Sequence, residues 1–264
     1  KVYWVCWSYE LYKLPRFAGR MYEPYSASFL KSSITIQSKF RNFLKKVYYG
    51  FVYGLGLQKN YFKSLEPSFA RINYFCCWLP SDYAFFLSLS PKKDIVHLPF
   101  SYFSLTKIMP DLHSYTVSGN EVMIGHSALP DGNHYEIIRK LSAIDKRFPI
   151  FLPLVYGNVL YSKKIKEIAR AHFDTVYVQE EKLDKEAYYQ RLTKVGWVII
   201  NSKVQQGLGN ILAIIWMGAK LFLDENSGTY IDFKKWNIIV FSVQHDLTKE
   251  QLSTRLTAEQ IEHN

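Results

Sequence analysis

The second half of the chain alternates short apolar runs with longer stretches in which apolar residues recur at helical spacing. Ile137, Ile138 and Leu141, for example, repeat three or four positions apart, which is typical of a helix packed on one face. The run 196–201 is almost continuously apolar, as expected for a strand buried on both faces. The runs predicted to be strands are 121–125, 149–155, 175–179, 196–201, 220–223 and 237–241.

Six predicted strands separated by five helical segments indicate an α/β fold with a doubly wound parallel sheet. Pro153 cannot donate a backbone hydrogen bond, so we expect it at the end or the edge of its strand. The polar stretch 248–263 predicts a terminal helix or tail. We therefore predict an N-terminal domain over residues 1–118, a C-terminal domain over 119–246 and a terminal segment over 247–264.

The composition predicts a folded chain with a basic first half. Hydrophobic residues make up 48% of the 264 residues, which is enough to bury a core and excludes wholesale disorder. Residues 1–120 contain 15 Lys and Arg against 6 Asp and Glu, whereas the remainder is nearly balanced with 18 against 17. The net charge of +10 therefore comes almost entirely from the first half.

Basic and aromatic side chains are interleaved most densely in the segment 31–71. From Arg41 to Tyr48 the spacing predicts a helix with a wide apolar stripe and basic margins. Such a surface suits anionic lipid headgroups, at about 1 kcal/mol per basic residue near the membrane. A core-facing helix with a solvated basic edge explains the pattern equally well. Single-stranded nucleic acid is the least favoured partner, because no binding motif accompanies the segment.

The three cysteines, Cys6, Cys76 and Cys77, cannot form a disulfide framework. A reducing, cytoplasmic compartment is therefore expected. The longest uninterrupted apolar run, 211–219, is about half as long as a bilayer span requires. The seven histidines show no spacing typical of metal ligands, so no metal site is predicted.

Two loops at the predicted carboxyl ends of the strands carry groups suited to an anion, and ligands of open parallel sheets bind at these ends. In the second loop, glycines let backbone N–H groups approach a ligand beside the start of a helix. Taken alone, such a glycine pair is better explained by a tight turn and a helix cap, but two such loops on one sheet edge favour a diphosphate site. The candidate residues are Gly125, Ser127, Asn133 and His134 in the first loop, and Lys203, Gln205, Gln206, Gly207, Gly209 and Asn210 in the second.

Five short motifs, in one order along the chain, carry a family resemblance. The run IGHSALPDGNHYEIIRKL resembles G-N-S-x-x-x-x-N-x-H, and VQQGLGN resembles R-Q-Q-G-x-G-N. Pro153, Tyr156 and Gly157 are similar to P-x-x-Y/G-G, and EEKLDKEAYYQRL is similar to E-K-L-x-x-x-x-Y-x-x-L. Near the start, WVCWSYELY resembles W-x-x-W-G-x-D-L-Y. These motifs resemble those of glycosyltransferase family 56, the TDP-N-acetylfucosamine:lipid II N-acetylfucosaminyltransferases, and the likeness runs from about Trp4 to Leu247.

The motifs also depart from the family pattern. Position 126 is His where the family usually has Asn, and position 204 is Val where Arg is usual, with Lys203 beside it as an alternative source of charge. Ser8 and Glu10 replace Gly and Asp in the tryptophan motif. The family carries sequence before this motif and a helical segment beyond position 264, so the resemblance implies that the N-terminal domain is incomplete here.

The resemblance implies a GT-B architecture with two Rossmann-like domains that contain parallel sheets. It implies a hexosyltransferase that moves a deoxy-amino sugar similar to N-acetylfucosamine from a TDP-sugar donor to a polyprenyl-pyrophosphate-linked glycan. The pathway would be the synthesis of a bacterial surface polysaccharide such as enterobacterial common antigen. The C-terminal domain would bind the donor and the N-terminal domain the acceptor, with Trp7 and Tyr12 on the acceptor side. The expected location is peripheral, on an anionic membrane surface at the cytoplasmic face of the bacterial inner membrane.

Sugar transfer requires groups that stabilise the departing diphosphate and a base for the acceptor hydroxyl. No Asp-x-Asp pair occurs in the chain, so we expect neither a metal nor a cofactor. Ser127, Lys203 and the backbone amides of 207–210 would stabilise the departing charge. Glu10 is the candidate base, although a carboxylate that caps or pairs structurally explains it at least as well.

The other donor-side candidates come from the loops after the second and third predicted strands of the C-terminal domain. Tyr156 and Gly157 belong to the motif that resembles P-x-x-Y/G-G. Glu180 and Glu181 would accept hydrogen bonds from ribose or sugar hydroxyls, or else lie as solvated charges at a helix start.

Two other classes of function stay open. One is a different nucleotide-sugar or phosphate-dependent enzyme, and the other is a non-catalytic protein that binds a nucleotide or nucleic acid.

Overall fold

The computed structural model describes residues 1–14, 17, 19–32, 44, 47–48, 61–100, 104–108 and 111–264. The chain divides into two compact units, the first comprising Lys1–Arg20 and Ala27–Phe100, and the second Met21–Ser26 and Ser101–Asn264. Most of the predicted basic and aromatic helix between positions 41 and 48 lies outside the described residues, so its three interpretations stay predictions.

The first unit contains a small parallel sheet. Its strands are β1 (Tyr3–Val5), β2 (Tyr74–Cys77) and β3 (Val96–Pro99), with β2 in the centre. The helices described before residue 101 are α1 (Tyr9–Tyr12), α2 (Pro24–Ser32), α3 (Tyr61–Ser68) and α4 (Pro80–Leu89), with a 3₁₀ turn at Phe69–Arg71.

Aromatic side chains form much of the core of the first unit. The rings of Phe75 and Phe86 stack at 4.2 Å between centroids, and Trp4 meets Phe86 edge-on at 5.5 Å. Phe69, Phe75 and Phe86 are fully buried. Stacked and edge-on rings are favourable arrangements, so packing accounts for these aromatic residues.

The second unit contains a six-stranded sheet in which every neighbouring pair is parallel. Its strands are β4 (Glu121–Ile124), β5 (Ile150–Pro153), β6 (Val176–Gln179), β7 (Val195–Ile200), β8 (Lys220–Leu223) and β9 (Phe241–Ser242). They lie in the order β6-β5-β4-β7-β8-β9. The chain builds outward from β4 on one side and then from β7 on the other. This order confirms the predicted doubly wound parallel sheet.

Burial of the central strands explains their sequence. Every residue of β4, β5, β7 and β8 is buried, as is typical of a parallel sheet whose crossover helices cover both faces. Pro153 is the last residue of β5, as predicted.

The helices of this unit beyond residue 100 are α5 (Leu105–Ile108), α6 (His134–Ile144), α7 (Val159–His172), α8 (Lys185–Leu192), α9 (Leu208–Trp216), α10 (Gly228–Lys235) and α11 (Ala258–His263), with 3₁₀ turns at Leu112–Ser114 and Pro130–Gly132.

The C-terminal segment differs from the expected polar helix or tail. Only Ala258–His263 is an α-helix, and three leucines before it are buried in the second unit, namely Leu247, Leu252 and Leu256. The buried Lys220 donates to the side chain of Gln251 at 2.5 Å, and the indole of Trp197 donates to the carbonyl of Thr254 at 3.2 Å. The segment looked polar because its three leucines are spaced among charged residues.

None of the helices in the described ranges combines the length and the apolar character that a membrane crossing demands.

The burial of the C-terminal segment can be tested with two matched leucine substitutions. Leu252→Ala should lower the free energy of unfolding by about 2–4 kcal/mol, because Leu252 is 2% exposed and its truncation leaves a cavity. Leu160→Ala, at a leucine that is 64% exposed in the same unit, should change it by no more than about 0.5 kcal/mol. Urea denaturation measures both values. Equal effects would show that the segment does not pack on the unit.

Candidate functional site

The candidate site lies where strands of the second unit end at one rim of the sheet. Parallel strands point the same way, so the loops that follow β4, β5, β6 and β7 leave from this rim. The sheet also reverses its building direction between β4 and β7. Such a reversal opens a crevice between the two following loops, which is the usual ligand position in this class of fold.

The loops after β4 and β7 contact each other directly. The side-chain amide of Gln206 donates to the carboxylate of Asp131 at 2.7 Å. A Cβ at Gly207 would lie 2.7 Å from Cγ of His126, and Gly207 has a φ of +62°. Glycine therefore allows both the left-handed turn into α9 and the close contact with the His126 ring. The two predicted loops thus meet at one rim.

Asn133 holds this rim together from a buried position. Its side-chain amide donates to the carbonyl of Asn201 at 2.9 Å and to that of Met21 at 3.1 Å. Its side-chain oxygen accepts from the backbone N–H of Glu23 at 2.9 Å. Asn133 also adopts a left-handed conformation, with a φ of +49°, immediately before α6. Through these bonds the Asn133 side chain stabilises the loop.

The segment Met21–Ser26 packs against these loops within the second unit. Lys203 forms an ion pair with Glu23 at 2.7 Å, and both side chains are half-buried. The hydroxyl of Ser26 donates to the carboxylate of Glu136 at 2.7 Å. Lys203, predicted to stabilise a departing diphosphate, therefore has a carboxylate partner here, and its proposed role stays a prediction.

His134 packs beneath the loop that Gly125 begins. A Cβ at Gly125 would lie 2.2 Å from Nε2 of His134, and one at Gly132 would lie 2.6 Å from its Cε1. The backbone N–H of His134 donates to the hydroxyl of Tyr161 at 3.2 Å. Both His134 and Ser127 are almost completely buried. Two predicted donor residues, Gly125 and His134, are thus a packing pair that shapes the loop.

A pocket of about 330 Å³ opens beside these loops. Two predicted donor-binding residues, Tyr156 and Asn210, line it, and Asn210 lies in the first turn of α9. No side chain within the described residues caps the first N–H groups of α9. The other lining residues are His126, Pro153, Val155, Gln179, Lys182, Leu183, Asp184, Lys185 and Tyr188.

Several lining residues were missed by the sequence analysis. Gln179 ends β6, so the rule that ligands lie at carboxyl strand ends already pointed to it. Asp184 accepts from the backbone N–H of Ala187 at 2.8 Å and begins α8, a role typical of a helix cap. Tyr188 lies one turn into α8, where its spacing resembles that of an ordinary core residue. Residues of a helix that line a pocket recur at the same spacing as residues that pack on a core. The sequence pattern therefore could not identify Tyr188 as a pocket residue.

The loop after β5 joins the rim through its backbone. Gly157, with a φ of +129°, pairs with Ala128, and a Cβ there would lie 2.5 Å from the Ala128 carbonyl carbon. The N–H of Ala128 donates to the carbonyl of Tyr156 at 2.7 Å. Glycine is therefore required by backbone contact, and the Tyr156 side chain remains exposed at the mouth of the pocket.

The loop after β6 places the two predicted ribose acceptors away from the pocket lining. Glu180 forms an ion pair with Lys166 at 2.5 Å, and the backbone carbonyl of Glu181 accepts from the side chain of Gln179 at 3.3 Å. Two other residues predicted to bind the donor lie nearby in the sequence: Gln205 is half-buried in the loop after β7, and Gly209 lies exposed in α9. The donor-binding roles of all four residues stay predictions.

The histidines of the site are held neutral by burial. Desolvation lowers the pKa of His126 to about 4. Desolvation also lowers the pKa of His134 to about 3, with a smaller contribution from the neighbouring His126, while a hydrogen bond with the Ser127 backbone opposes the shift. Burial raises the pKa of Tyr188, and it raises that of Tyr156 against a hydrogen bond with Ser127. The histidine and tyrosine side chains of the pocket wall are therefore neutral at neutral pH, and the wall also carries two basic side chains, Lys182 and Lys185, and one acidic side chain, Asp184.

The acceptor-side candidates lie in the first unit. The carboxylate of Glu10 accepts from the backbone N–H of Trp7 at 3.1 Å, near the start of α1. This bond favours the structural alternative for Glu10, and its role as a base stays a prediction. The Trp7 ring is exposed and meets Phe100 edge-on at 5.4 Å, and the Tyr12 hydroxyl donates to Asp82 at 3.3 Å.

Across the described residues, no three His, Cys, Asp or Glu side chains are grouped so that they could hold a metal ion.

Two glycine substitutions test the contact between the loops. Gly207→Ala should lower the free energy of unfolding by about 1–2 kcal/mol, because its φ is positive and its Cβ would meet the His126 ring. Gly209→Ala should leave it unchanged or raise it by up to about 1 kcal/mol, because its Cβ meets nothing within 4 Å and alanine favours helix. Thermal and urea denaturation measure both. A harmless Gly207→Ala would contradict the observed packing.

Buried neutral histidines predict an acid-dependent loss of stability. Between about pH 6.5 and pH 4, the unfolded chain binds protons at His126 and His134 that the native state excludes. The free energy of unfolding should therefore fall as the pH falls, by at most about 1.4 kcal/mol per pH unit for each histidine. His126→Asn should reduce this slope, whereas Gly209→Ala, which changes no titratable group, should keep it. Urea denaturation at several pH values gives the slopes, and an unaltered slope in His126→Asn would contradict the assignment.

Comparison with known proteins places this architecture among GT-B-like folds. No protein-family model matches the chain, and no curated protein sequence matches it significantly. Among solved structures, the chain is similar to TarM, a glycosyltransferase with a GT-B-like fold, at a TM-score of 0.50 and 15% sequence identity. The likeness covers 74% of this chain and 38% of TarM.

A second similar structure is the N-terminal domain of Candida albicans trehalose-6-phosphate phosphatase, at a TM-score of 0.50 and 12% identity. This likeness covers 77% of the present chain and 55% of that domain. The chain thus spans less than two thirds of both matched structures. Membership of glycosyltransferase family 56 is not confirmed by these comparisons. The fold is an α/β, GT-B-like fold with parallel sheets.

Proposed function

We propose that the chain is a glycosyltransferase that uses a nucleotide-sugar donor. The observation that carries this proposal is the 330 Å³ pocket at the carboxyl rim of the second sheet, beside the start of α9. Ligand pockets in doubly wound folds lie at this position. The GT-B-like fold adds support, since the similar structure TarM is a glycosyltransferase.

The pocket has parts suited to each portion of a nucleotide. Tyr156, Leu183 and Tyr188 offer apolar and aromatic surface for a base or sugar ring. The N–H groups at the start of α9 and the ammonium groups of Lys182 and Lys185 suit the diphosphate. In this proposal the diphosphate leaves on the side of α9, where negative charge is stabilised as the sugar–oxygen bond breaks.

The donor and acceptor follow from the resemblance to glycosyltransferase family 56. The donor would be a TDP-linked deoxy-amino sugar similar to N-acetylfucosamine, and the acceptor a polyprenyl-pyrophosphate-linked glycan. Trp7 and Tyr12 would contact the acceptor, and Glu10 would take the proton of its attacking hydroxyl. Such an acceptor resides in a membrane, so the protein would act as a peripheral enzyme at the cytoplasmic face of the bacterial inner membrane.

Nucleotide titration tests this proposal directly. Isothermal titration calorimetry with TDP, UDP and GDP should show binding to the full chain, with TDP the tightest. Asn210→Ala should weaken TDP binding about fivefold, the value of one hydrogen bond in a partly buried site. Asn226→Ala, at an exposed asparagine outside the pocket, should leave the affinity unchanged.

The outcomes separate the competing functions. Failure of all three nucleotides to bind would overturn the transferase proposal for this chain. Nucleotide binding without sugar transfer to a polyprenyl-pyrophosphate glycan would favour a non-catalytic binding protein. Tight binding of single-stranded RNA with a steep dependence on salt would instead favour the nucleic-acid alternative.

A further inference from the structure

Another pocket of the second unit, of about 320 Å³, is built from the segment 111–115 and the first turns of α8. We call it the tyrosine pocket. Its volume lies at the lower end of the range of about 300–1,000 Å³ that is typical of small-molecule sites. It is lined by Asp111, Ser114, Tyr115, Lys185, Glu186 and Tyr189. Of these residues only Lys185 also lines the 330 Å³ pocket, so the two pockets have almost separate walls.

Two tyrosine rings form a wall of the tyrosine pocket. The centroids of the Tyr115 and Tyr189 rings lie 5.4 Å apart, and the ring planes are inclined by 59°. Tyr189 is only 3% exposed, yet its hydroxyl forms no hydrogen bond with any residue in the described part of the chain. This hydroxyl is not sealed from solvent, so it is accessible from the pocket. A buried tyrosine usually finds a hydrogen-bond partner, so an open and unpartnered hydroxyl points to a polar ligand.

Two carboxylates lie beside these phenols. The side chains of Asp111 and Glu186 are exposed, and neither forms an ion pair or a hydrogen bond with a described residue. Burial raises the pKa of Tyr115, and the charges of Glu186 and Asp111 raise it further. Burial and the charge of Asp111 raise the pKa of Tyr189 as well. Both phenols therefore stay protonated at neutral pH and can donate hydrogen bonds, while both carboxylates can accept them.

These groups favour a neutral ligand with several hydroxyls over an ion. Two carboxylates against one lysine give the lining a net negative charge, which repels a phosphate. The ammonium of Lys185 lies 5.9 Å from the centre of the Tyr189 ring, so it would repel a second cation placed over that ring. A sugar hydroxyl both donates and accepts, and the pocket offers donors and acceptors side by side. The tyrosine rings add apolar surface for the C–H face of a sugar ring.

We propose that the tyrosine pocket binds a neutral saccharide unit. Asp111 and Glu186 accept hydrogen bonds from its hydroxyl groups, the Tyr189 hydroxyl donates to it, and the tyrosine rings pack against its C–H face. This site goes beyond the proposed function, whose nucleotide sugar would occupy the 330 Å³ pocket and whose acceptor candidates lie in the first unit. The inference rests on the lining groups alone and does not require sugar transfer.

Saturation-transfer difference NMR on the full chain tests the inference. The probes are glucose, galactose and N-acetylglucosamine, each titrated through the millimolar range, with tetramethylammonium as a cation of similar size. We expect at least one of the sugars to bind the wild type and tetramethylammonium not to bind. Failure of all three sugars to bind, or binding of tetramethylammonium in their place, would overturn the saccharide site.

Matched variants locate the bound sugar. Tyr115→Leu/Glu186→Gln should weaken its binding at least about tenfold, from the loss of one ring and one charge-assisted hydrogen bond. The control Tyr230→Leu/Glu259→Gln also removes a half-buried tyrosine and an exposed carboxylate in the first turn of a helix, outside the tyrosine pocket, and should bind like the wild type. Glu186→Gln alone, at an exposed position that leaves the core intact, should weaken binding about threefold. Equal loss in the control, or unchanged affinity in Glu186→Gln, would contradict the proposal.

TDP titration keeps this site separate from the proposed donor site. Tyr115→Leu/Glu186→Gln should keep the wild-type affinity for TDP, because neither residue lines the 330 Å³ pocket, and saturating TDP should not displace the sugar. A sugar that TDP displaces and that the double variant still binds would lie in the donor pocket, which would overturn the saccharide site alone. Sugar binding that depends on Tyr115 and Glu186, in a protein that binds no nucleotide, would support the saccharide site and reject the transferase.

Discussion

The packing of Gly207 against the ring of His126 is the contact on which the rim of the second unit depends. Strands β4 and β7 lie side by side, yet the chain continues from them toward opposite edges of the sheet. Their following loops are therefore brought together over one crevice. A residue with a side chain in place of Gly207 would separate the loops and move the start of α9 away from the pocket.

Neutral polar rings form part of the wall of this pocket. Burial keeps the His126 ring neutral, the phenol groups of Tyr156 and Tyr188 are neutral at pH 7, and the lining also includes Lys182, Lys185 and Asp184. The neutral rings accept an apolar or aromatic ring without the cost of desolvating an ion. A ligand with a ring at one end and phosphate at the other matches this distribution.

The central sheet was predictable because its signal is local. β7 is an apolar run buried on both faces, and α6 repeats apolar residues at helical spacing, so each element is visible in a short window of sequence. The carboxyl rim then follows from the parallel order of the strands. The last strand was harder, since only Phe241–Ser242 pairs with β8 and the rest of the expected run forms a loop.

The roles of individual site residues were less predictable, because their partners are remote in sequence. Asn133 and Lys203 looked like ligand groups, yet they bond to Met21 and Glu23, more than a hundred positions earlier. Glu180, in the loop after β6, similarly pairs with Lys166 of α7. Polar residues that join distant segments are of the same types, at the same spacing in the sequence, as polar residues that bind a ligand. Only the three-dimensional structure distinguishes the structural role from the binding role.

The segment Met21–Ser26 has a practical consequence for dissecting this protein. It supplies two backbone partners for the buried Asn133 and the carboxylate that pairs with Lys203, although the rest of the second unit begins only at Ser101. Excising the second unit at residue 101 would therefore remove the donor to the side-chain oxygen of Asn133, although its amide would keep the bond to Asn201, and it would remove the carboxylate partner of Lys203. A short synthetic peptide with the sequence of 21–26 would be the natural complement to such a fragment, restoring by association what covalent continuity normally provides.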